Sequence, residues 1–557
     1  MPQTRNILFL MFDQLRWDYL SCYGHPHLKT PHIDRLAAMG LRFDQARIQS
    51  PLCGPSRMSV LTGRYPSSNG ATWNRVPLKV GELTLGDFLR QQGMECWLVG
   101  KTHMAADIEG LQRFGIDPAS QQGRRLSEAG FDVFERDDGM RPEGANGFYD
   151  PGGALAYNAY LRAKGYGGDN PWHDYANSAR DAQGNVLSGW FLENADKPAN
   201  IREDDSETPY MMRRGMDFIA AQGDTPWLCH LSLIKPHWPY IVPAPYHDLY
   251  GPQDMIPVQC SEAELATPHP VLSRLLATPM SRTFQRPEIR EKVLRAYMGL
   301  IKQIDDQVGV LLDWLAQTGR LADTMIVLTS DHGDYLGDHG LGEKMFFHDT
   351  SVKVPLIVYD PSPQADATRG TASDALVELI DLLPTFVEVA GGNAADIDHI
   401  AEGYSLLPIL HGQTRDMPRA FQICEYDYAM TPLADTLGLS IGAARMVMIA
   451  DHRWKMIHCA GGFAPILFDR LNDPQELSDL GASPDHAGVI ESLRARLLDW
   501  ALRPSQRQTR STAQILTARR GGGDGQGVLI GSVDAASAPL IETMRYTGRT
   551  APDKTGA

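Results

Sequence analysis

Asn6-Ile-Leu-Phe-Leu-Met-Phe12 runs directly into Asp13-Gln14. Ile7 to Phe12 is an unbroken apolar run without alternation, the pattern of a strand covered on both faces, and it ends on a carboxylate. The same grammar recurs downstream. Thr30 to Leu41 reads as a helix, with Pro31 at its start, Ile33, Leu36 and Ala37 at helical spacing and Gly40 at its end. Leu83 to Gln92 is helical and stops at Gly93. Cys96 to Val99 and Trp227 to Leu233 read as strands, Arg295 to Gln317 as a long amphipathic helix, and Thr324 to Thr329 and Leu356 to Tyr359 as further strands. Strands alternating with amphipathic helices predict one large α/β unit over residues 1–410.

Within that unit the periodicity weakens between residues 110 and 208, where Gly, Asp, Asn and aromatic residues dominate, as in an insertion lining a cleft. Residues 411–504 change character. Met446 to Ala450 and Trp454 to His458 read as neighbouring strands of a small antiparallel sheet, followed by a helix from about Ala487 to Leu502. Residues 505–557 are polar and Gly-rich and are expected to form an extended tail, disordered or ordered against another subunit. No repeat of 20 to 50 residues is visible.

The chain has 557 residues, 43% hydrophobic and 22% charged, the proportions of an ordinary globular protein. With 52 Lys and Arg against 68 Asp and Glu, its net charge of −16 excludes nonspecific attraction to nucleic acid or to an anionic membrane, while leaving room for a local basic pocket. Seven cysteines form no Cys-x-x-Cys pair, and an odd number argues against a disulfide framework. The apolar run at Ile7 is too short for a signal segment, and no stretch approaches the ~18 apolar residues of a membrane span. The expected location is cytoplasmic.

The most specific segment is Ser50-Pro-Leu-Cys53-Gly-Pro55-Ser-Arg57-Met-Ser-Val-Leu61-Thr-Gly63-Arg64. Taken singly, an intracellular cysteine is usually a buried small hydrophobe. Cys53, however, lies between two prolines, four residues before Arg57, at a turn into a helix expected to begin near Ser56. Such a thiol faces a helix N-terminus and a fixed cation, which describes an anion site built around a nucleophile. Strand ends carry Asp13-Gln14 and Asp331-His332, Gly100-Lys101-Thr-His103 follows the Cys96 strand, and Lys235-Pro-His237-Trp-Pro239 follows the Trp227 strand. An isolated Asp after a strand is more often a helix cap, and an isolated His or Lys more often a surface or satisfied residue. At successive strand ends of one α/β sheet they converge where such folds bind ligands.

Cys53-x-Pro55-x-Arg57 followed by Leu61-Thr-Gly-Arg64 resembles the motif of the type I sulfatases and the related phosphonate monoester hydrolases. Leu467-Phe-Asp469-Arg-Leu-Asn-Asp473-Pro474-Gln-Glu476 resembles their C-terminal pattern, although a turn with Asp473-Pro474 starting a helix explains the same residues. The resemblance runs from residue 6 to about 500, outside the insertion. It implies an alkaline phosphatase-like fold, a large mixed sheet sandwiched by helices with a smaller antiparallel sheet and helix behind it.

It further implies that Cys53 is converted to Cα-formylglycine by a formylglycine-generating enzyme. It places one divalent cation, Ca²⁺ or Mn²⁺, among Asp13, Gln14, Asp331, His332 and residue 53. Gln14 and His332 replace the acidic and amide residues of the commonest pattern, and the His admits Mn²⁺. Arg57, Lys101 and Lys344 are implied to stabilise the ester anion, Asn74 to contact it, His237 to protonate the leaving oxygen, and His103 to take a proton from the hydrated aldehyde as sulfate departs. The expected activity is sulfate monoester hydrolysis of the arylsulfatase type in a homo-oligomer. Hydrolysis of phosphonate monoesters or phosphodiesters and a catalytically silent anion-binding protein are the alternatives. Asp334, Asp338, His339 and His348 suggest a second metal of a two-metal phosphatase, a weaker reading because no matching ligands appear near the N-terminus. Trp73, Tyr149, Trp172 and Trp238 are candidates for a leaving-group pocket, or for core.

Overall fold

The computed structural model describes residues 4–139, 156–504 and 510–517. Eight strands form the main sheet: β1 (Asn6–Asp13), β2 (Leu41–Phe43), β3 (Glu95–Gly100), β4 (Asp132–Arg136), β5 (Trp227–Pro236), β6 (Thr324–Ser330), β7 (Leu356–Tyr359) and β8 (Thr371–Ser373). They lie in the order β8-β2-β7-β6-β1-β5-β3-β4, all pairings being parallel except those of β7 with β6 and β2. The sheet is therefore mixed, as the resemblance implies.

The apolar run of β1 is explained by its place at the sheet centre, where all eight residues are buried. Ile7, Phe9 and Met11 enter one core and Leu8, Leu10 and Phe12 the other. Each such side chain contributes roughly 1.5–3 kcal/mol by burial. Helices α1 (Pro31–Met39), α2 (Cys53–Thr62), α3 (Glu207–Ala221) and α4 (Pro287–Gln317) cover the two faces: α2 adds Met58, Val60 and Leu61 to the first core, while α1, α3 and α4 supply the second. Helix α4 begins eight residues before the expected Arg295, because Pro287 suits a first helical turn and Ile289, Val293 and Leu294 prolong the buried stripe. Helix α2 begins at Cys53 rather than near Ser56; Pro55 falls within the first turn, where its missing N–H costs nothing, and Gly63 ends the helix at φ 64°.

A second sheet of four antiparallel strands, β9 (Gln422–Asp427), β10 (Arg445–Ala450), β11 (Trp454–Cys459) and β12 (Ile466–Asp469), follows in sequence order. Helix α5 (Ala487–Ala501) packs Ile490, Leu493 and Leu497 on one face, against Ile423, Ile449, Met456 and Leu467. The other face sends Met448, Ile457 and Phe468 into the core of the main sheet. No helix begins at Asp473-Pro474; the segment stays a turn in which Asp473 accepts from Ser478 N–H at 2.8 Å. The expected 110–208 insertion is not wholly one, since it supplies β4 to the edge of the main sheet; beyond that strand a helix spans Ala156–Ala163 and Ser178–Arg180 pairs with Val186–Ser188. Of the expected tail, Thr512–Thr517 is a short helix and the remainder lies largely outside the described residues. Among the described residues no helix is long and apolar enough to cross a membrane.

Register positions the site. Phe12 pairs with Leu233 on one side and Ser330 on the other, and Gly100 pairs with Ser232. Four parallel strands thus end at one level, and the residues at or just past their ends, Asp13, Lys101, the Lys235–His237 run and Asp331, emerge along one sheet edge.

Candidate active site

Cys53 is the first residue of α2, and its Sγ lies 3.0 Å from His332 Nε2 and 3.8 Å from Asp13 Oδ1. Asn74 Oδ1 accepts from Gly54 N–H at 2.9 Å and so holds the first turn of the helix. A Cβ at Gly54 would sit 2.8 Å from that same oxygen and displace the Asn74 amide. Ser56 Oγ donates to the Asp331 carbonyl at 2.6 Å, tying the turn to the end of β6. The helix N-terminus favours negative charge at residue 53. One turn on, Arg57 donates to Asp331 Oδ2 (2.7 Å), Asp13 Oδ2 (3.4 Å), Ser232 Oγ (2.7 Å) and the Lys101 carbonyl (3.0 Å). Through these contacts Arg57 orients the two carboxylates.

The ligand atoms of Asp13, Cys53, Asp331 and His332 all lie within 4.8 Å of one another, and the four residues are buried. His332 Nε2 stands 3.5 Å from Asp13 Oδ1 and 3.6 Å from Asp331 Oδ1. His332 Nδ1 lies 2.8 Å from the Gly333 carbonyl. Donation there leaves the Nε2 lone pair facing the carboxylates. Burial alone would raise Asp13, but Lys101, His237, Arg57 and His332 hold its carboxyl well below the usual range. Two carboxylate oxygens and an imidazole nitrogen pointed at one another fit a divalent cation between them.

Gln14 adopts φ 67°, where the register of β1 and β5 shifts after Phe12. Its backbone N–H donates to Asp331 Oδ1 at 3.1 Å. The side-chain amide donates to Tyr240 Oη at 2.9 Å and to Asp334, while Gln14 Oε1 accepts from Lys344 Nζ at 2.9 Å. Lys101 Nζ pairs with Asp13. His237 presents Nε2 to Lys344 Nζ (3.2 Å) and to Asp13 Oδ1 (4.0 Å), with Nδ1 2.7 Å from the Trp238 carbonyl. Burial, then Lys344, push His237 well below its ordinary value, so it is a neutral imidazole with Nε2 turned toward the cluster.

The geometry therefore brings together Asp13, Gln14, Cys53, Arg57, Lys101, His237, Asp331, His332 and Lys344, and places Asn74 beneath the nucleophile as a helix cap. His103 is the exception. It sits at φ 57° with its N–H donating to Asp138 Oδ1 at 2.9 Å; its Nδ1 has no hydrogen-bond partner, and no bond joins it to the Cys53 cluster among the described residues. Asp334 and Tyr240 escaped the sequence reading as parts of this site. Tyr240 donates to Asp334 and both hold the Gln14 amide; burial pushes Asp334 up to about 6. Their signal was position alone, Asp334 two residues after His332 and Tyr240 immediately after Pro239.

The four residues of the two-metal reading do not converge. Asp334 turns to Gln14, Asp338 pairs with Arg16 at 2.7 Å, and His339 and His348 lie together elsewhere. Among the aromatic candidates, Trp73 stacks on Tyr426, and Trp172 is buried with its indole 3.3 Å from Glu207. Trp238 flanks His237 at 4.5 Å between ring centres, while Tyr149 lies outside the described residues.

Known proteins resemble this chain in sequence and fold. The family model for sulfatases matches residues 5–392, and a model described as N-sulphoglucosamine sulphohydrolase, C-terminal, matches residues 337–503. The chain belongs to the sulfatase family of the alkaline phosphatase superfamily, and the protein is a hydrolase of that family. It is 30% identical to a multifunctional alkaline phosphatase superfamily protein of Trinickia caryophylli over 92% of this chain and 99% of the relative. It is 26% identical to a choline-sulfatase of Rhizobium meliloti over 86% of this chain and 83% of that one. A phosphonate monoester hydrolase from Silicibacter pomeroyi superposes with TM-score 0.75 at 27% identity, covering 91% of this chain and 96% of the other.

Proposed function

We propose that the protein hydrolyses sulfate monoesters of the arylsulfatase type, with residue 53 as nucleophile and one divalent cation, Ca²⁺ or Mn²⁺, held by Asp13, Gln14, Asp331 and His332. The observation that carries this reading is the juxtaposition of Cys53 with acceptors facing acceptors, all inside a ring of Arg57, Lys101 and Lys344. When present, formylglycine at position 53 supplies a hydrated aldehyde whose hydroxyl is the nucleophile. When bound, the cation supplies the charge that acidifies that hydroxyl and neutralises the ester.

The remaining work falls to the chain. Lys101 and Lys344 take up the negative charge that spreads over the ester oxygens, the electrostatic contribution that usually dominates such reactions. Lys344 also lies against His237 Nε2, the unprotonated nitrogen of the neutral ring; an arriving anion that draws the ammonium away lets Nε2 take a proton from solvent, and the imidazolium so formed passes it to the leaving oxygen and returns to the neutral ring. His103, whose backbone N–H is held by Asp138, takes the proton from the second hydroxyl of the hydrated aldehyde as sulfate departs. Conversion of Cys53 requires a formylglycine-generating enzyme. Seven free cysteines agree with a reducing, cytoplasmic setting, where we place the enzyme as a homo-oligomer.

A second reading, hydrolysis of phosphonate monoesters or phosphodiesters, is favoured by the superposition on phosphonate monoester hydrolases. These esters share the single negative charge of a sulfate monoester. Steady-state kcat/KM for an aryl sulfate, an aryl phosphonate monoester and a phosphodiester, on enzyme whose residue 53 has been characterised by mass spectrometry, decides between them. Sulfate must be the best substrate, and unmodified thiol at full occupancy in active protein overturns the nucleophile.

A further inference from the structure

Lys235 is a further buried cation at the sheet edge, and the chemistry at residue 53 does not use it. It is the penultimate residue of β5, whose ten residues are all buried. Leu231 and Leu233 enter the second core, and the two-residue repeat of a strand turns Lys235 to the same side. There it is 6% exposed.

Its ammonium closes a loop. Lys235 Nζ donates to the Pro239 carbonyl at 2.9 Å and stands 3.4 Å from Asn177 Oδ1. The Asn177 amide N–H donates to the Trp172 carbonyl at 3.1 Å, which leaves that oxygen for the lysine. The segment Lys235-Pro-His237-Trp-Pro239 is thereby tied end to end. Pro236 and Pro239 bring no N–H, so the loop holds its shape with few donors of its own. His237 N–H reaches the Ile234 carbonyl at 3.1 Å, and Ile241 N–H shares the Pro239 carbonyl at 2.9 Å. Inside the loop His237 Nδ1 lies 2.7 Å from the Trp238 carbonyl, while Nε2 faces Lys344 and Asp13. The ring is therefore set by the peptide that joins Trp238 to Pro239, the residue that Lys235 holds.

A buried lysine on a carbonyl is compatible with plain packing, but an apolar side chain would fill the same space without the cost of burying a charge. Burial pulls Lys235 down to about 8, with Glu207 opposing. Glu207 and Asp137 line the same small pocket. No hydrogen bond or ion pair joins Lys235 to Cys53, Asp13 or Lys344 among the described residues. We propose that Lys235 is a positioning residue, whose tie to the Pro239 carbonyl fixes the loop so that His237 Nε2 stands at the leaving oxygen. The inference rests on the reading of His237 as the proton donor to that oxygen, and it holds for sulfate and phosphonate esters alike.

The test compares wild type, H237A, K235M and the double variant on the 4-nitrophenyl and phenyl esters of whichever acid the enzyme hydrolyses best. Phenolate leaves less readily than 4-nitrophenolate and so depends more on a proton donor. H237A is expected to lose most on the phenyl ester. K235M should follow it, with kcat lowered about 10²-fold on the phenyl ester and less than about 10-fold on the 4-nitrophenyl ester, KM changing less than about twofold. In the double variant K235M should add nothing to the H237A loss. A merely structural lysine would lower both esters alike. Equal losses in K235M, an effect confined to KM, or losses that multiply in the double variant overturn the positioning role while H237A still marks the acid. If H237A itself loses equally on both esters, His237 is not the acid and both readings fall. Should circular dichroism show K235M unfolded, K235Q carries the same comparison, since its amide keeps a polar group in the pocket but ends one bond short of the ammonium.

Discussion

Two buried clusters of charge, one at the end of β1 and one where the second sheet meets the first, use the same residue types to opposite ends. In the latter, Asp349 is met by Arg47 at 2.9 Å, Lys455 at 2.7 Å and Arg470 at 3.0 Å, while Glu476 takes Lys455 at 2.5 Å and the Asp349 N–H at 2.8 Å. Every carboxylate faces a donor. At the end of β1, Asp13 and Asp331 also have cationic partners, but their other oxygens face His332 Nε2, and Asp13 Oδ1 also faces Cys53. Opposites paired directly hold a fold together; acceptors turned toward acceptors mark a place where a ligand completes the structure.

The largest effect expected of this contrast is at the nucleophile. Cys53→Ala should lower kcat/KM for an aryl sulfate at least about 10⁴-fold without changing the midpoint of urea unfolding. A variant that kept more than a tenth of the activity would remove residue 53 from the chemistry. Glu476→Ala should do the reverse. Leaving Lys455 and Arg470 buried without their partner is expected to cost about 3–5 kcal/mol, read as a lower urea midpoint, while kcat of the folded fraction is unchanged. A cost below about 1 kcal/mol would mean that the second cluster does not hold the sheets together.

Lys344→Ala is expected to reduce kcat/KM by about 10²–10³-fold, with a larger share in kcat if the ammonium acts on the transition state. A pure KM effect would assign it to ground-state binding. The smallest effect concerns a third buried acid. Burial pushes Glu128 from its ordinary 4.5 up to about 7, with Arg136 only partly opposing. Between those two pH values the folded chain retains a proton that the unfolded chain has released, so stability falls as pH rises through the window, by on the order of 3 kcal/mol. Glu128→Gln should flatten that profile, and an unchanged slope would show that the acid titrates normally.

Much of the site was legible because its groups cluster in short segments. The β1 run, the Cys53 loop, Asp331-His332 and Lys235-Pro-His237 each announce themselves by local spacing, and the structure gathers them. Asn74 is expected to contact the substrate anion; the structure adds that its oxygen accepts from Gly54 N–H in the first turn of α2. Such a contact across 20 residues depends on how the intervening loop folds back, which composition does not encode. Tyr240 and Asp334 look like ordinary residues in the sequence; only their shared grip on Gln14 gives them a part. His103 stands in a recognisable segment, and the structure adds the hold of Asp138 on its backbone N–H.

By itself the sequence determined the element types, the continuous strand at the centre, the second sheet and the residues able to carry an anion, a proton or a cation. These are properties of short windows, set by hydrophobic period and side-chain chemistry. The tertiary structure decided which of them meet. Asp13 and Asp331 are 318 positions apart in the chain, and they share one ligand cluster only because β1 pairs in parallel with both β5 and β6, with Phe12 level with Leu233 and Ser330. Parallel pairing joins segments of distant sequence through crossovers, so its register, and with it the site, exists only once the sheet has formed.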